Sequence, residues 1–349
     1  MVEWKELGEV AKLVRGKVIS KDYIRDFEGE YPVYSSQTAN DGVLGNINSY
    51  MFDGDYLTWT TDGAYAGTIF RRKGKFSITN VCGLIDITCS NIKQDFLYFW
   101  LSKTAKNYVL EGMGNPKLMS NVASTIPIPI PSLKEQIRIV GILDTFTASI
   151  DNLKQQIAQR RKQYEYYRDQ LLDLEGKEGV EMKTLGEACE IRRGIRVVKK
   201  QLKDNALYPV FQNSIAPMGY YDQFNRDGNI PYIICAGSSS GSVGFCCTPF
   251  WAADDCYTIE SSKVNRRYTY YALKKNNNYL FKLVRKGSMP RLPHEAIDNM
   301  IIPIPSLSEQ SRIVSNLDTF EASIQNLEAQ LSQREKQYEY YRNKLLTFE

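Results

Sequence analysis

Few side chains in this chain have the chemistry that enzymes use for proton transfer or metal binding. The 349 residues contain 1 histidine, His294, and 7 cysteines without CxxC spacing. Because histidine is the usual proton shuttle and zinc ligand, nucleophilic triads and zinc hydrolase sites are disfavoured. Asp53, Asp62, Asp254 and Asp255 could hold a metal ion, but they form no matched acidic cluster and turns explain them better. The sequence therefore favours a binding protein over a catalyst.

Two glycine-containing segments, residues 63–67 and 237–241, have a composition that also occurs in phosphate-binding loops. Each follows a predicted strand, but neither has the lysine and the following helix that such a loop requires. We therefore expect turns at which the backbone bends tightly or approaches a ligand closely.

Basic residues gather at two places and favour nucleic acid as the binding partner. Arg71, Arg72 and Lys73 are predicted at the exposed tip of a hairpin, and Arg192 and Arg193 lie near the start of the second half of the chain. Each charge that contacts a phosphate adds about 0.9 to the salt dependence of binding, so a handful suffices. A net charge of +4 permits such binding without requiring it. The alternative is that these runs are solvated loops.

Polar side chains that can hydrogen-bond to base edges lie beside the basic residues. Glutamine and asparagine can pair with adenine, and serine and threonine can contact several bases. The candidates are Ser35, Ser36, Gln37, Thr60, Thr61, Tyr65, Gln212, Asn213, Ser238, Ser239 and Ser240. Two more basic residues, Lys117 and Arg291, each follow a proline in a turn, 112–117 or 286–291. We predict that both contact phosphates, with a helix-flanking surface charge as the alternative.

The elements that must position these residues occur twice. Residues 128–175 and 302–349 are largely identical, and Pro305 minus Pro131 gives a period of 174 residues. This period is far longer than that of any solenoid repeat, which indicates a duplicated domain. Each copy also contains a serine three residues before a glutamate, a capping box that starts a helix directly after a run of prolines.

Apolar residues then recur at alternating steps of four and three, which predicts a coiled-coil helix of roughly 65 Å in each copy. The seam is interrupted at Arg160 and Arg334, which either extend to solvent or fix the register. Tyr166 and Tyr340 lie just off the seam.

The rest of the chain predicts two small domains of mixed helix and strand. Asp53-Gly54 and Asp227-Gly228 are read as tight turns before strands. The predicted boundaries are residues 1–127 and 176–301 for the domains and 128–175 and 302–349 for the long helices. The fold class is therefore α+β, with two duplicated α/β domains separated by a pair of long antiparallel coiled-coil helices and related by a pseudo-two-fold axis.

Composition agrees with a globular protein of the cytoplasm. Hydrophobic residues make up 43% and charged residues 24% of the chain. We find no apolar run long enough to span a bilayer and no signal-peptide core at the N-terminus. The odd number of cysteines favours reduced thiols in the core.

With these motifs in view, the sequence resembles the specificity subunits of type I restriction-modification systems. The resemblance rests on the two copies of IPIPSLxEQxRIVxxLDTF, each followed by a heptad helix, and on the LGE motif at residues 7–9 and 185–187. It implies that each globular half is a target recognition domain for one half of a bipartite, asymmetric DNA sequence. It also implies that the paired helices set the distance between the half-sites.

The resemblance further implies the partners and their cofactors. Two modification (methyltransferase) subunits would dock on this chain, with Tyr166 and Tyr340 as candidate contacts, and restriction (translocase and endonuclease) subunits would join them. S-adenosylmethionine, ATP and Mg would be bound by those partners, so this chain would bind no cofactor or metal and have no catalytic residues. The alternatives are a stand-alone DNA-modifying enzyme, either methyltransferase or nuclease, and a coiled-coil protein adaptor.

Overall fold

The structure, a computed structural model, describes residues 2–111 and 114–348. The chain divides into two compact units, Met1–Asn152 with Leu331–Glu349 as unit 1 and Leu153–Gln330 as unit 2. Each long helix therefore contributes residues to both units. Two residues of the predicted turn at 112–117, Gly112 and Met113, lie outside the described residues.

Unit 1 is built on a six-stranded sheet. The strands of the unit are β1 (Glu3–Glu6), β2 (Ala11–Arg15), β3 (Glu28–Tyr34), β4 (Val43–Ile47), β5 (Phe52–Thr60), β6 (Ile69–Ile78), β7 (Cys82–Ile87) and β8 (Pro127–Ile130). The order in the sheet is β2-β7-β5-β6-β3-β4, and neighbouring strands are antiparallel except β3 and β6, which are parallel; β1 pairs separately with β8. The helices are α1 (Leu7–Val10), α2 (Lys21–Asp26), α3 (Gln94–Thr104), α4 (Ser120–Ala123) and the start of α5 (Leu133–Leu171), with single 3-10 turns at Ala39–Gly42 and Ala105–Tyr108.

The core of unit 1 joins the sheet, α3 and the long helices. Phe96 of α3 is fully buried in one cluster with Leu57 and Trp59 of β5. The same cluster includes Leu143 of α5 and Leu346 from the end of the chain. The sheet and the helix ends therefore share one hydrophobic core, and burial of its apolar side chains is the main contribution that stabilises unit 1.

Unit 2 repeats this design with a smaller main sheet. The strands of the unit are β9 (Glu181–Thr184), β10 (Glu190–Arg193), β11 (Tyr208–Phe211), β12 (Gly219–Tyr221), β13 (Ile230–Ile234), β14 (Val243–Cys246), β15 (Trp251–Ala252), β16 (Cys256–Glu260) and β17 (Ile301–Ile304). The main sheet has the order β10-β16-β13-β14 and a second sheet has the order β12-β11-β15, in which β11 and β15 are parallel; β17 pairs with β9. The helices are α6 (Leu185–Ala188), α7 (Arg266–Lys275), α8 (Asn277–Leu283), α9 (His294–Asp298) and α10 (Leu307–Leu345), with a 3-10 turn at Lys199–Gln201.

The LGE motif of each half forms the first turn of a short helix. The Thr184 hydroxyl accepts from the amide of Glu187 at 3.3 Å, and the Glu187 carboxylate accepts from the amide of Thr184 at 2.9 Å. The motif glycine also lies against another element, since a Cβ on Gly186 would lie 2.1 Å from the Asp298 carboxylate and one on Gly8 would lie 3.1 Å from Ser124. The leucine fills the core, the glycine permits close packing and the glutamate caps the turn.

Both long helices have 39 residues, and each begins at the predicted capping box. The residues before them, 127–130 and 301–304, are strands paired with β1 and β9, so helix formation starts only after the last proline. The Ser132 hydroxyl caps α5 by accepting from the amide of Glu135 at 3.3 Å. The Glu135 carboxylate binds Arg138 at 2.6 Å, which lowers the pKa of Glu135.

A buried glutamine joins the start of each long helix to its domain. The Gln136 side chain accepts from the amide of Lys93 at 2.8 Å and donates to the carbonyls of Asn91 and Pro131 at 2.8 and 2.9 Å. Gln310 accepts from the amide of Asn265 at 2.9 Å and donates to a carbonyl at 2.8 Å. Because buried polar groups are costly when unpaired, this glutamine fixes the start of the long helix to the loop in front of α3 in unit 1 and in front of α7 in unit 2.

Within each unit the two long helices pack antiparallel. In unit 2, Arg161 of α5 donates to Glu328 of α10. Six residues later in α5, Tyr167 stacks on Phe320, eight residues earlier in α10, with ring centroids 5.3 Å apart. The two helices therefore run in opposite directions. In unit 1, Phe146 of α5 stacks on Tyr341 of α10 at 5.3 Å. The predicted antiparallel pairing is confirmed in each unit.

The predicted Asp53-Gly54 turn is wrong. Both residues lie inside β5, where Gly54 is opposite Gly74 of β6. The two glycines have φ of +147° and +79°, a backbone conformation that a side chain would disfavour. The two glycines therefore face each other in the middle of a long hairpin and do not form its turn. In the described part of the chain, none of the helices is both long and apolar enough to span a membrane.

Candidate nucleic-acid interface

The hairpin of unit 1 places its basic residues differently from the sequence prediction. Strands β5 and β6 pair from Phe52 opposite Phe76 to Trp59 opposite Ile69, so the turn of the hairpin is residues 61–68. Arg71, Arg72 and Lys73 lie in the middle of β6, which makes the predicted exposed tip wrong. The register explains the difference, because β6 begins at Ile69 rather than after the basic run.

Arg71 and Arg72 are bound by groups of their own unit. Arg71 pairs with Asp95 of α3 at 2.9 Å and with Asp144 of α5 at 3.0 Å, and its guanidinium lies 4.3 Å from the Tyr98 ring centroid. The Arg72 side chain is only 1% exposed. Lys73 is exposed and remains available to a ligand. Of the three, Arg71 and Arg72 thus serve the internal structure of unit 1.

The glycine turn of unit 1 is held to the segment that contains Lys117. The amide of Gly63 donates to the carbonyl of Pro116 at 3.0 Å, and the amide of Leu118 donates to the carbonyl of Thr61 at 3.0 Å. Lys117 itself exchanges two backbone hydrogen bonds with Leu110, at 2.8 and 3.1 Å, and its side chain is exposed. The backbone thus places an exposed cation beside the turn.

Unit 2 repeats this frame with different side chains. The amide of Gly237 donates to the carbonyl of Pro290 at 2.9 Å, and the amide of Leu292 donates to the carbonyl of Cys235 at 2.8 Å. Arg291 takes the place of Lys117, with its guanidinium 3.5 Å from the Asp255 carboxylate and its side chain 51% exposed. Each half therefore presents a cation at the same point of its glycine turn.

A second matched cation in each half was missed as a pair by the sequence prediction. Arg15, at the end of β2, donates to the carbonyl of Asn80 at 2.8 Å, and Arg193, at the end of β10, donates to the carbonyl of Asp254 at 2.8 Å. Both side chains are exposed. The repeated arginine-glycine dipeptides at 15–16 and 193–194 are the signal that could have identified Arg15.

The polar candidates divide into buried and accessible residues. Thr60 and Thr61 are 0% exposed and Ser240 is 3% exposed. Thr60 accepts from the amide of Thr68 at 3.0 Å, and Ser240 donates to the carbonyl of Cys235 at 2.9 Å. These three residues shape the glycine turns from inside and are not available to a ligand.

The accessible candidates lie on and beside the turns. Tyr65 is 55% exposed at the hairpin turn of unit 1, and Ser238 is exposed at the equivalent turn of unit 2. Asn213 is also exposed, and its Cβ lies 3.4 Å from where a Cβ on Gly237 would be. Ser36, Gln212 and Ser239 are partly exposed.

Two further candidates are committed to the loop after β3. Ser35 accepts from the Thr79 hydroxyl at 3.2 Å, and the Gln37 carboxamide donates to the carbonyl of Val43. In unit 2, Arg192 forms a double hydrogen bond with Glu190, at 2.6 Å for each contact, which raises the pKa of Arg192. All three side chains are thus already paired within their own unit.

The partner candidates on the long helices are exposed. Tyr166 is 61% and Tyr340 60% exposed, and each ring packs edge-on against the tyrosine that follows it. The seam arginine Arg334 lies with its guanidinium 5.7 Å from the Phe146 ring centroid. The contact is a cation–π interaction with a seam side chain of α5.

Neither a metal cluster nor a reactive Cys235 thiol is found among the described residues of these surfaces. They contain no group of three His, Cys, Asp or Glu side chains that could hold a metal ion. Burial raises the pKa of the Cys235 thiol, which lies beside the unit 2 turn, to about 11, so this thiol is protonated and a poor nucleophile near neutral pH. The matched cations, turns and amide side chains can contact phosphates and base edges.

Comparison with known proteins identifies the family. The model of the type I restriction modification DNA specificity domain matches residues 1–160 and 177–335. The chain belongs to this family. One match falls on each half, which agrees with the duplication, and the resemblance stated from sequence is confirmed.

Relatives of the specificity-domain family agree in length and fold. A putative type I specificity subunit of Mycoplasma pneumoniae is 32% identical over 97% of this chain and 96% of its own length. The specificity subunit of the type I restriction enzyme MpnII from the same organism is 38% identical over 48% of this chain and 52% of its own length. The crystal structure of a type I S subunit from M. genitalium superposes with a TM-score of 0.74 at 16% identity, covering 100% of this chain and 97% of that one.

Proposed function

We propose that this chain is the DNA-recognition subunit of a type I restriction-modification complex, and that its two halves read two different half-sites. Membership in the specificity-domain family supports a recognition role without catalysis. The chain would direct modification and restriction subunits to a bipartite, asymmetric sequence. A protein that acts on the DNA of a bacterial cell works in the cytoplasm, where we place this chain.

The observation that carries the proposal is a common frame with different side chains. Both halves hold a glycine turn against a proline-cation dipeptide by equivalent backbone bonds, at 3.0 Å in unit 1 and 2.9 Å in unit 2. The side chains on the frame differ, with Ala64 and Tyr65 in one half and Ser238 and Ser239 in the other. Phosphate contacts position a protein on DNA and base contacts specify the sequence. A shared frame therefore suits a shared docking mode, and the divergence suits two half-sites.

The partners and cofactors follow from this role. We propose that two modification subunits bind the duplicated surfaces, because a repeated chain offers each surface twice, and that Tyr166 and Tyr340 belong to those surfaces. S-adenosylmethionine would be bound by the modification subunits, and ATP and Mg by the restriction subunits. The long helices would act as the spacer between the half-sites.

Exchange of one half tests the proposal. The chain is expressed with its modification partners in a host whose methylated sequences are then read, first as wild type and then with residues 181–300 replaced by residues 3–126. The wild type should give two different half-sites, and the exchanged chain should give the first half-site twice. An exchanged complex that still methylates the original asymmetric sequence would show that the halves do not read DNA independently.

A further inference from the structure

The loop between β3 and β4 in unit 1 has an unusual backbone. Asn40 and Asp41 have φ of +50° and +51°, and Gly42 follows with φ of +79°. This left-handed region is unfavourable for residues that carry a side chain. Among the described residues, the only other non-glycine position with positive φ is Asn229. Such conformations persist where the surrounding structure holds them, and they concentrate at functional sites.

A buried arginine holds the loop in this conformation. Arg72 donates through Nη1 to the Asp41 carboxylate at 2.7 Å and through Nε to the Thr58 hydroxyl at 3.1 Å. Its guanidinium lies 3.6 Å from the Tyr34 ring centroid and 4.3 Å from that of Phe70. A planar guanidinium with several donors can contact both rings and make both hydrogen bonds at once. These contacts hold the Arg72 guanidinium in place, and its bond to Asp41 holds the loop.

The loop is also closed through its own backbone. The amide of Ser35 donates to the carbonyl of Gly42 at 3.0 Å, and a Cβ on Gly42 would lie 3.0 Å from Nη2 of Arg72. That Nη2 is buried and has no hydrogen-bond acceptor within the described residues. A buried donor without a partner is destabilising. The unpaired Nη2 thus destabilises the fold locally, whereas an apolar side chain at this place would not. This loss of stability favours a functional reason for the arrangement.

Unit 2 does not repeat this arrangement at the equivalent positions of its described residues. The residue one period after Arg72 is Cys246, which is buried. The segment after β11, residues 212–218, contains no residue with positive φ. A difference at these equivalent positions is expected of an element that distinguishes two half-sites.

We propose that the loop of residues 38–42 reads bases in the first half-site, that Asn40 contacts an adenine edge, and that Arg72 is the positioning residue of this loop. The inference rests on the proposed function. The Asn40 side chain is exposed and makes no hydrogen bond within the described residues. Its carboxamide presents an NH2 group that can donate to N7 and a carbonyl oxygen that can accept from the N6 amino group of adenine in the major groove. A loop held rigid in advance loses little entropy on binding, which increases discrimination.

The test compares Asn40→Asp, Asn40→Ala and Arg72→Lys with wild type, each as the full chain assembled with its modification subunits. Binding is measured to the cognate duplex and to duplexes in which each adenine of the first half-site is replaced in turn by purine, which lacks the amino group, or by 7-deazaadenine. The wild type should lose about ten- to a hundredfold in affinity at one adenine position. The Asn40 variants should lose this discrimination at that position only, with preferences in the second half-site unchanged.

Arg72→Lys separates positioning from a purely structural role. Lysine keeps the charge but lacks the separate nitrogens with which the guanidinium reaches Thr58 and Asp41, so we expect relaxed discrimination at the same adenine while discrimination throughout the second half-site is retained. Cys246→Ser, at the equivalent place in unit 2, is the matched control and should leave the first half-site unchanged. Unaltered discrimination in both Asn40 variants would overturn the inference, as would an equal loss at all positions of both half-sites. A wild-type complex without any sequence preference would instead refute the proposed function.

Discussion

Replacing Gln136 by methionine should loosen the start of α5 from unit 1. The side chain is 0% exposed and makes three hydrogen bonds, so methionine would leave the amide of Lys93 and the carbonyls of Asn91 and Pro131 without their partner. Each unpaired buried group costs about 1 to 3 kcal/mol. Water can reach part of the loop after the change, so we expect a total of about 3 kcal/mol rather than the full sum.

The equivalent glutamine in the second copy, Gln310, provides a comparison within the same protein. Gln310 makes two such bonds, to the amide of Asn265 and the carbonyl of Pro305, so Gln310→Met should cost about 2 kcal/mol. Gln159 lies on the exposed surface of α5, and Gln159→Ala is the control, with an expected change within about 0.5 kcal/mol.

Hydrogen exchange resolved by peptide is the suitable assay, because a chain with two units need not unfold in one step. A local loss of about 3 kcal/mol corresponds to roughly a 150-fold faster exchange in residues 91–97 and 133–140. The Gln310 variant should show roughly a 30-fold increase in residues 265–271 and 307–314. If Gln136→Met left exchange within threefold of wild type, or if its effect equalled that of Gln159→Ala, the buried glutamine would not be what holds the helix to its domain.

Three further predictions concern the spacer, the partner surface and the thiols. Adding four residues at matched positions of both long helices lengthens each by about 6 Å, so the methylated half-sites should move about two base pairs apart; unchanged spacing would refute the spacer role. Tyr166→Ala combined with Tyr340→Ala should weaken assembly with modification subunits at least tenfold by titration, and unchanged affinity would exclude these rings as contacts. Burial raises the pKa of the Cys82 thiol to about 12, whereas Cys247 is exposed, so a thiol reagent at pH 8 should label Cys247 first by peptide mapping. Because the folded-state pKa of Cys82 lies above its unfolded value near 9, its contribution to stability should be complete below pH 9 and decline as the pH rises towards 12. Labelling of Cys82 as fast as Cys247 in the native protein would contradict the burial.

The architecture could be predicted from the sequence because its signals are local or periodic. The capping serines, the heptad seam and the repeat itself are read directly along the chain, and the structure has helices at Leu133–Leu171 and Leu307–Leu345 where they were expected. The glycine turns were also visible, since positive φ at Gly63 and Gly237 is a local requirement. The domain boundaries, the DNA contacts and the partner contacts stay predictions.

Only the tertiary structure decided which polar residues are available. Strand register puts Arg71 against Asp144, 73 positions later in the chain, and places Arg72 inside unit 1 in contact with two aromatic rings. Gln136 looks like a surface residue of a helix, yet it is buried by a loop 43 to 45 positions earlier. The sequence by itself determined the repeat and the helices because hydrophobic periodicity is a property of neighbouring residues. The partner of a charge or an amide depends on which distant strands meet, so it became known only when the chain was folded.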